Sequence, residues 1–295
     1  MRLMLEQTRP SRRLDRYQPI NPAPPPRRKP KHVPRWLLLI GLIVYFLAPI
    51  RTNVLLLGTD DSPERGAVGR TDTIILTTVV PTMPYLGMLS IPRDLWVNVP
   101  GVGEQRINTA YFFAEANQPG AGPEAAMQTV RQNFGMHVHY YAVIHMLGLV
   151  NAVNTVGGID VELSSPMADY ATGSYHLDGE EALAFIRERS SSDDFNRMRR
   201  TQLLLVALGT KVLQPANWPS LPNFILAGIQ TVDTNIPLWQ GPRLLFALLR
   251  IPFFGVDART ITSDMVYPFV TAGGAQVLAP NWELINPLLM TMFGE

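Results

Sequence analysis

Carboxylates and a guanidinium stand at the ends of three short apolar runs. The runs cover residues 53–57, 73–80 and 85–89. Asp60 follows the first run, Asp72 opens the second and Arg93 follows the third. Short runs that are rich in β-branched residues and bounded by Gly and Pro predict strands buried on both faces. Because ligands bind at strand ends in open α/β sheets, the three charged side chains indicate a binding site.

Two carboxylates and a guanidinium suit the chemistry of phosphate. Asp60 and Asp72 can hold a magnesium ion, which takes few carboxylates and completes its octahedron with water and phosphate oxygens. Arg93 offers a planar fork that matches a phosphate bidentately. The three residues together predict a phosphate-handling site. A structural alternative stays open, because Asp is common in turns and caps and Arg-Asp neighbours often form surface ion pairs.

A second charged stretch lies further along the chain. Residues 177–187 have the spacing of a short amphipathic helix with Asp178 as its N-cap. A second helix follows, and helical spacing places Arg197 and Arg200 on one face of it. Two guanidiniums so near each other repel unless an anion lies between them or nearby acidic residues pair with them. The sequence leaves both interpretations open.

The rest of the sequence predicts further helices and strands of an α/β protein. Residues 123–134 predict a helix with Pro in its first turn, and residues 140–144 predict a strand. His137, His139 and His145 alternate on or beside that strand without matching His or Cys partners, so they indicate structural histidines rather than a metal site. The aliphatic runs of the C-terminal third suit either core packing or the wall of a lipid tunnel.

The chain of 295 residues carries its charge unevenly. Residues 1–35 hold ten Lys and Arg against Glu6 and Asp15, so the remainder holds fifteen against twenty-two acidic residues. The N-terminal segment is rich in Pro and lacks apolar periodicity, which predicts a disordered basic tail. The 46% of hydrophobic residues suffice for a sizeable core. The residues after this tail are acidic overall and show no aromatic or helical elements suited to reading bases, which argues against binding to nucleic acid.

Residues 36–50 form an uncharged apolar run with basic residues before it and no small-residue cleavage site after it. We predict an uncleaved transmembrane anchor that leaves residues 1–35 in the cytoplasm and places residues 51–295 outside the cell membrane. The run is short against the roughly 20 residues of a usual spanning helix, so a buried core helix is the alternative. The absence of cysteine excludes disulfides and thiolate metal sites.

Seven segments follow one another along the chain: VLLLGTD (54–60), RTDTI (70–74), SIPRD (90–94), RINTAY (106–111), VGGIDV (156–161), LDGEEALAFIRER (177–189) and RMRRTQ (197–202). In this order they resemble the extracytoplasmic domain of the LytR-CpsA-Psr family, and PNWELI (280–285) resembles the family's C-terminal end. Each segment alone is a weak signal, but seven in the family's order are specific.

The resemblance implies a central mixed β-sheet flanked by helices, an α-β-α sandwich with an apolar cavity for a lipid tail. It implies a single-pass membrane enzyme that moves a glycopolymer from a polyprenyl-pyrophosphate carrier to a peptidoglycan acceptor through a phosphodiester. Asp60 and Asp72 correspond to positions that hold magnesium in the family. The positions that correspond to pyrophosphate-binding arginines are Arg93, Arg187, Arg189, Arg197 and Arg200. The expected catalytic set is Asp60, Asp72, Arg93, Arg189 and Arg197, with Asp94 or Asp194 as candidate bases.

The chain departs from the family pattern near the first aspartate. Members commonly have an arginine two residues after it, where this chain has Ser62. The predicted anchor also leads into the first strand almost at once, so we expect the site close to the membrane surface. The rival hypothesis is a regulator that binds polyprenyl pyrophosphate without turnover, which would need the arginines but not both Asp60 and Asp72.

Overall fold

The computed structural model describes residues 34–48, 50–59, 69–81, 85–167, 169–188, 194–250 and 255–294. The chain divides into two units, residues 1–40 and 41–295, and only residues 34–40 of the first unit are described. The sheet, the core and the charged side chains at its edge all belong to the second unit.

Twelve strands and nine α-helices are found in the described residues. The strands are β1 (Thr52–Thr59), β2 (Thr71–Val80), β3 (Tyr85–Ser90), β4 (Trp96–Val99), β5 (Gly103–Arg106), β6 (Tyr140–His145), β7 (Ile159–Leu163), β8 (Gly173–Leu177), β9 (Val232–Thr234), β10 (Asp257–Thr260), β11 (Val266–Val270) and β12 (Gln276–Pro280). The helices are α1 (Arg35–Leu47), α2 (Thr109–Asn117), α3 (Gly122–Phe134), α4 (Met146–Thr155), α5 (Gly179–Arg187), α6 (Asp194–Leu213), α7 (Leu221–Thr231), α8 (Gly241–Leu248) and α9 (Trp282–Phe293). Short 3-10 turns cover Pro215–Ser220, Leu238–Gln240 and Ser263–Met265.

A six-stranded sheet in the order β10-β3-β2-β1-β6-β9 lies at the centre. β1 pairs antiparallel with β2 and parallel with β6, while β3 pairs antiparallel with β2 and parallel with β10. The sheet is therefore mixed, which confirms the predicted α/β class. The three apolar runs predicted as strands are β1, β2 and β3, and most of their residues are buried.

Helices cover both faces of the sheet because side chains alternate along each strand. On β1, Leu55 and Leu57 face the core that contains Met127 of α3 and Met292 of α9. Leu56, between them, faces α6, α7 and α8 on the opposite side. A second cluster packs α4, α5, α6 and β7 together. The result is three layers, helix-sheet-helix, as predicted.

The helices predicted from local signals are confirmed. α3 has Pro at its first turn and ends at Gly135 in the left-handed conformation. α5 begins with a capping box, in which Asp178 accepts from the backbone N–H of Glu181 at 2.9 Å and Glu181 accepts from that of Asp178 at 3.0 Å. This cap fixes where α5 starts and therefore where its last residue, Arg187, comes to lie.

α1 begins one residue before the predicted anchor, residues 36–50, ends inside it at Leu47 and is 13 residues long. No helix among the described residues combines the length and apolarity that crossing a membrane requires. After α1, β1 runs through the sheet from Thr52 to Thr59, and the seven steps between these residues span about 23 Å at ~3.3 Å each. The charged side chains stand at the far end of this strand. The cluster therefore lies one strand length from the end of α1, and the expectation of a site close to the membrane surface stays a prediction.

Leu55 tests the energetics of the central layer. It is fully buried, and replacing it with alanine should lower the free energy of unfolding by about 2–5 kcal/mol through lost burial and a residual cavity. Denaturant titration of the full chain in detergent measures this. Leu284→Ala on the exposed side of α9 is the matched control and should change stability by less than about 1 kcal/mol. Equal losses in both variants would contradict the assigned core.

Candidate active site

Four strand ends meet at one edge of the sheet. Because β1 is antiparallel to β2 and parallel to β6, the ends of β1 and β6 lie beside the start of β2. β3 is antiparallel to β2, so its end at Ser90 reaches the same edge. This topology explains how residues far apart in the sequence gather at one place.

A β-bulge at this edge re-aims Asp72. Gly58 pairs with Thr73, but the next residue of β1, Thr59, pairs with Thr71. Asp72 is therefore the extra residue of the bulge, and its side chain is freed from the alternation of the strand. A Cβ at Gly58 would lie 2.9 Å from the Cβ of Thr73, so the close approach that accompanies the bulge requires glycine.

Arg93 lies in the turn after β3 and contacts three carboxylates. Its Nη1 is 2.7 Å from Oδ1 of Asp72, and its Nε is 3.4 Å from Oδ2 of Asp94 and 3.3 Å from Oδ2 of Asp194. Asp194 comes from the first turn of α6, so Arg93 joins two motifs that are a hundred residues apart. The structure thus brings Asp72, Arg93 and both candidate bases together.

Two further arginines complete what we call the charged cluster, defined by Asp72, Arg93, Asp94, Arg106, Asp194 and Arg197. Arg106 Nε is 3.2 Å from Oδ1 of Asp94, and Arg197 Nη2 is 3.2 Å from Oδ1 of Asp194. Three carboxylates face three guanidiniums, so the cluster is electrically balanced.

Ionisation within the charged cluster is perturbed. Burial raises the pKa of Asp94 above its ordinary value, because desolvation outweighs the attraction of Arg93 and Arg106, and the neighbouring Asp194 adds to the rise. Burial opposes the charge on Arg93, but its hydrogen bond to Asp72 and the surrounding carboxylates outweigh that cost and raise its pKa. Asp94 is therefore a better proton acceptor than an exposed aspartate would be.

The other predicted arginines lie differently. Arg200 is fully buried and donates from Nη2 to the carbonyl oxygen of Glu188 at 2.5 Å. Its Nε and Nη1 are buried with no hydrogen-bond partner in the described structure, and burial lowers its pKa. Arg187 is exposed at the end of α5. Asp60, Ser62 and Arg189 lie outside the described residues.

His145 also reaches this edge, which the sequence did not predict. Its Nε2 is 3.0 Å from Oδ2 of Asp233, and its Nδ1 is 3.1 Å from Oγ1 of Thr59, the last residue of β1. A carboxylate only accepts, so Nε2 donates to Asp233, while Nδ1 lies within hydrogen-bond distance of the threonine hydroxyl. The contact holds the end of β1 one residue before Asp60. The alternating histidines 137, 139 and 145 were visible in the sequence, but no sequence pattern indicated that one of them contacts Thr59.

A cavity of about 400 Å³ lies between the sheet and the helices α6, α7 and α8. Its walls are almost wholly aliphatic and include Val54 and Leu56 of β1 and Ala142 of β6. A smaller, separate pocket shares the wall residues Leu56 and Leu205 with it and reaches Thr73, the neighbour of Asp72. Apolar space therefore lies beneath the sheet and, in this second pocket, within one residue of the charged cluster.

The fold and this edge define a class, a three-layer α/β protein with a charged sheet edge that adjoins an apolar cavity. The sequence model of the LytR_cpsA_psr family matches residues 49–265. The chain belongs to the LytR-CpsA-Psr family, as the resemblance predicted.

Named relatives and a solved structure agree with this membership. The chain is 38% identical over 164 residues to the polyisoprenyl-teichoic acid–peptidoglycan teichoic acid transferase TagU of Oceanobacillus iheyensis, which covers 52% of this chain and 49% of the relative. It is 36% identical over 192 residues to TagU of Enterococcus faecalis, which covers 62% and 61%. The chain thus spans about half to three fifths of these relatives. The crystal structure of B. subtilis TagV matches with a TM-score of 0.67 at 26% identity, over 83% of this chain and 98% of that one.

Proposed function

We propose that this protein is a membrane-anchored phosphotransferase that moves a glycopolymer from a polyprenyl-pyrophosphate carrier to peptidoglycan, with magnesium as cofactor. The observation that carries the proposal is the apolar cavity beneath the sheet, beside a second pocket that reaches Thr73, the neighbour of Asp72 in the charged cluster. An apolar tail and a doubly charged headgroup require these two environments side by side. The relatives named as teichoic acid transferases support the substrate class.

The charged cluster fits magnesium that is shared with a phosphate. No group of three or more His, Cys, Asp or Glu side chains in the described ranges is arranged to hold a metal. Magnesium needs no such cage, because one or two carboxylates and substrate oxygens suffice. Asp72, and Asp60 beyond the described residues, would hold the ion, which supplies charge stabilisation at the pyrophosphate oxygens. A balanced cluster needs that extra positive charge to bind an anion.

The arginines of the charged cluster would bind the pyrophosphate, and one of its carboxylates would accept the proton of the acceptor. Arg93 and Arg197 bind non-bridging oxygens of the pyrophosphate and stabilise the charge that develops during transfer. Asp94 or Asp194 takes the proton of the acceptor hydroxyl. The acceptor oxygen then bonds to the phosphorus that carries the glycan, the bond from that phosphorus to the bridging oxygen breaks, and polyprenyl phosphate leaves.

The location of the protein is part of the proposal. Residues 1–35 would be the basic cytoplasmic tail, residues 36–50 the anchor, and residues 51–295 the catalytic domain outside the membrane. Support comes from the charge asymmetry of the chain and from the apolar composition of α1. Because the proposed substrate is a lipid, an anchored enzyme would encounter it by diffusion in the plane of the membrane rather than in solution.

The test of this function is turnover of a polyprenyl-pyrophosphate-linked sugar by the full chain in proteoliposomes. We expect release of polyprenyl phosphate with magnesium and peptidoglycan fragments, and none with chelator. Asp72→Asn, which keeps the shape and removes the charge, should lower the rate by about 10²–10³-fold. Asp264→Asn, on an exposed turn, is the matched control. Tight binding of the carrier with no product in any condition would favour the regulator that binds without turnover.

His145 should tune the metal site without touching substrate. We expect His145→Ala to raise the magnesium concentration for half-maximal turnover by about tenfold, the lower end of losses seen when supporting residues of metal sites are removed. Its removal releases Thr59 and with it the segment that leads into Asp60. His176→Ala, which breaks a pair with Asp160 away from the site, is the control. An unchanged magnesium titration in the His145 variant would show that the contact is only structural.

A further inference from the structure

Three aromatic side chains lie on one outer surface next to the charged cluster. We call this surface the aromatic platform and define it by Trp96 of β4 and by Tyr267 and Phe269 of β11. Tyr267 is 60% exposed, Phe269 is 37% exposed and Trp96 is partly exposed. The rings of Trp96 and Phe269 meet edge to face with their centroids 6.1 Å apart. Two distant segments of the chain therefore contribute to one aromatic patch.

The pairing of four strands places these rings on one face. β4 pairs with β5 on one side and contacts β12 on the other, and β12 pairs with β11. Leu95 and Leu278 form the bridge between β4 and β12, and both side chains pack into the core. Because side chains alternate along a strand, Trp96 points outward beside this bridge. Tyr267 and Phe269 are the register partners of the two residues that flank Leu278, so they share the outward face.

Polar contacts hold two of the rings in fixed orientations. Trp96 donates from Nε1 to Oε2 of Glu104 at 3.3 Å. Nδ2 of Asn281 donates to the hydroxyl of Tyr267 at 2.9 Å, and Oδ1 of Asn281 accepts from the backbone N–H of Glu283. A surface ring that is fixed before binding loses little conformational entropy when a ligand stacks on it. The aromatic platform is thus preorganised for a ligand.

The aromatic platform continues into the charged cluster. Arg106 is the register partner of Trp96, so both side chains lie on the outward face. Arg106 donates from Nη2 to the carbonyl oxygen of Gln276 on β12 at 2.8 Å, and its Nε is 3.2 Å from Oδ1 of Asp94. Asp94, a candidate base, is two residues before Trp96 in the chain. A ligand that stacks on the rings therefore reaches the proposed base.

The aromatic platform and the apolar pockets lie on opposite faces of the central sheet. The four strands of the platform pack on the core that contains Leu55, whereas Leu56 faces the cavity and the smaller pocket. The charged cluster stands at the edge between these faces. In phosphoryl transfer the attacking and leaving oxygens are roughly in line. When polyprenyl phosphate leaves on the side of the pockets, the acceptor arrives from the side of the platform.

We propose that the aromatic platform binds the glycan strand of the acceptor, a β-linked chain of N-acetylated amino sugars. The proposal rests on the proposed transferase and names the site of its acceptor. The C–H face of a pyranose ring is apolar, and its partly positive hydrogens suit the negative face of an aromatic ring. Asn98 and Glu104 are exposed on the same face of β4 and β5 and offer hydrogen bonds to acetamido and hydroxyl groups.

Binding is tested with chitohexaose, a soluble chain of N-acetylglucosamine, and with maltohexaose, which has no acetamido groups, as the control sugar. Calorimetric titration of the full chain in detergent measures the dissociation constants. We expect Phe269→Ala and Tyr267→Ala each to weaken chitohexaose binding by about threefold to tenfold, the effect of one aromatic contact. Phe269→Tyr, which keeps a ring, should bind as the original protein does.

Trp218→Ala is the matched control variant. Trp218 is also an exposed aromatic residue, but it follows the C-terminal end of α6, whose first turn carries Asp194 of the charged cluster. Its replacement should leave chitohexaose binding unchanged. Equal affinities of Phe269→Ala and Trp218→Ala, or no difference between the two sugars, would overturn the proposal. A dimer in sedimentation that dissociates in Phe269→Ala would also overturn it, in favour of contact with a second copy of the chain.

Turnover in proteoliposomes separates this proposal from the proposed function. Phe269→Ala should raise the KM for peptidoglycan fragments by a similar factor and leave kcat and the KM for the carrier unchanged, because the ring contacts Trp96 rather than the charged cluster. Transfer with an unchanged acceptor KM would keep the transferase and remove the glycan site. Platform-dependent binding of chitohexaose by a protein that releases no polyprenyl phosphate would keep the glycan site and remove the transferase.

Discussion

Replacing Arg93 with lysine is expected to lower glycopolymer transfer by about 10²–10³-fold, the loss typical of removing one group that stabilises transition-state charge. Arg93 is the centre of the charged cluster, since Asp72, Asp94 and Asp194 all lie within 3.4 Å of its guanidinium. A lysine keeps one positive charge but is a single point, so it cannot contact three carboxylates and a phosphate in fixed directions. The variant therefore separates geometry from charge.

Arg93→Ala should lose at least as much activity and should also lower stability. It leaves three carboxylates facing one another with Arg106 and Arg197 only at the flanks, and uncompensated carboxylates in a half-buried site cost more than the pair itself was worth. Initial rates at saturating magnesium and denaturant midpoints measure the two effects. Arg131→Lys, whose guanidinium contacts Glu124 and the carbonyl of Val138 rather than the charged cluster, is the matched control for activity. An Arg93→Lys enzyme that retains half of its activity would show that Arg93 only organises the fold.

The strands and helices that carry the charged cluster were predictable because their signals are local. The runs that became β1, β2 and β3 are apolar and bounded by turn residues, and Asp178 with Glu181 three residues later is a complete capping signature. The cluster of Asp72 with Arg93 was expected from their places at strand ends. Their position on a common edge required only that β2 run antiparallel to both neighbours.

The rest depended on contacts that no local pattern encodes. The bulge at Asp72 follows from the register between β1 and β2, which is a property of two strands together. The contacts of Arg106 with Asp94 and of His145 with Thr59 join segments that meet only after the sheet has formed. The direction of β1 places the cluster one strand length from the end of α1, which sequence distance alone does not show.

Ala142 offers the sharpest test of the cavity as the site of the carrier's tail. It lines the cavity, and its register partner on β1, Leu56, lines it too. A phenyl ring at this position would project from the sheet into the empty space. Because the space is a void, Ala142→Phe should fold normally and should unfold no more easily than the original protein, since filling a cavity commonly adds about 0.5–2 kcal/mol.

The expected kinetic result is selective for the length of the lipid. A carrier with a long polyprenyl tail should lose about tenfold or more in kcat/KM, the effect of poor fit in an apolar pocket. A carrier with two or three prenyl units, which leaves the cavity largely unfilled, should be transferred at the original rate. Ala142→Val adds less volume and is the graded control. Its kcat/KM for the long carrier should lie between those of the original protein and of Ala142→Phe. Since the charged cluster is untouched, an equal loss for long and short carriers would mean that the ring disturbs the sheet edge, and the tail would then have to lie elsewhere.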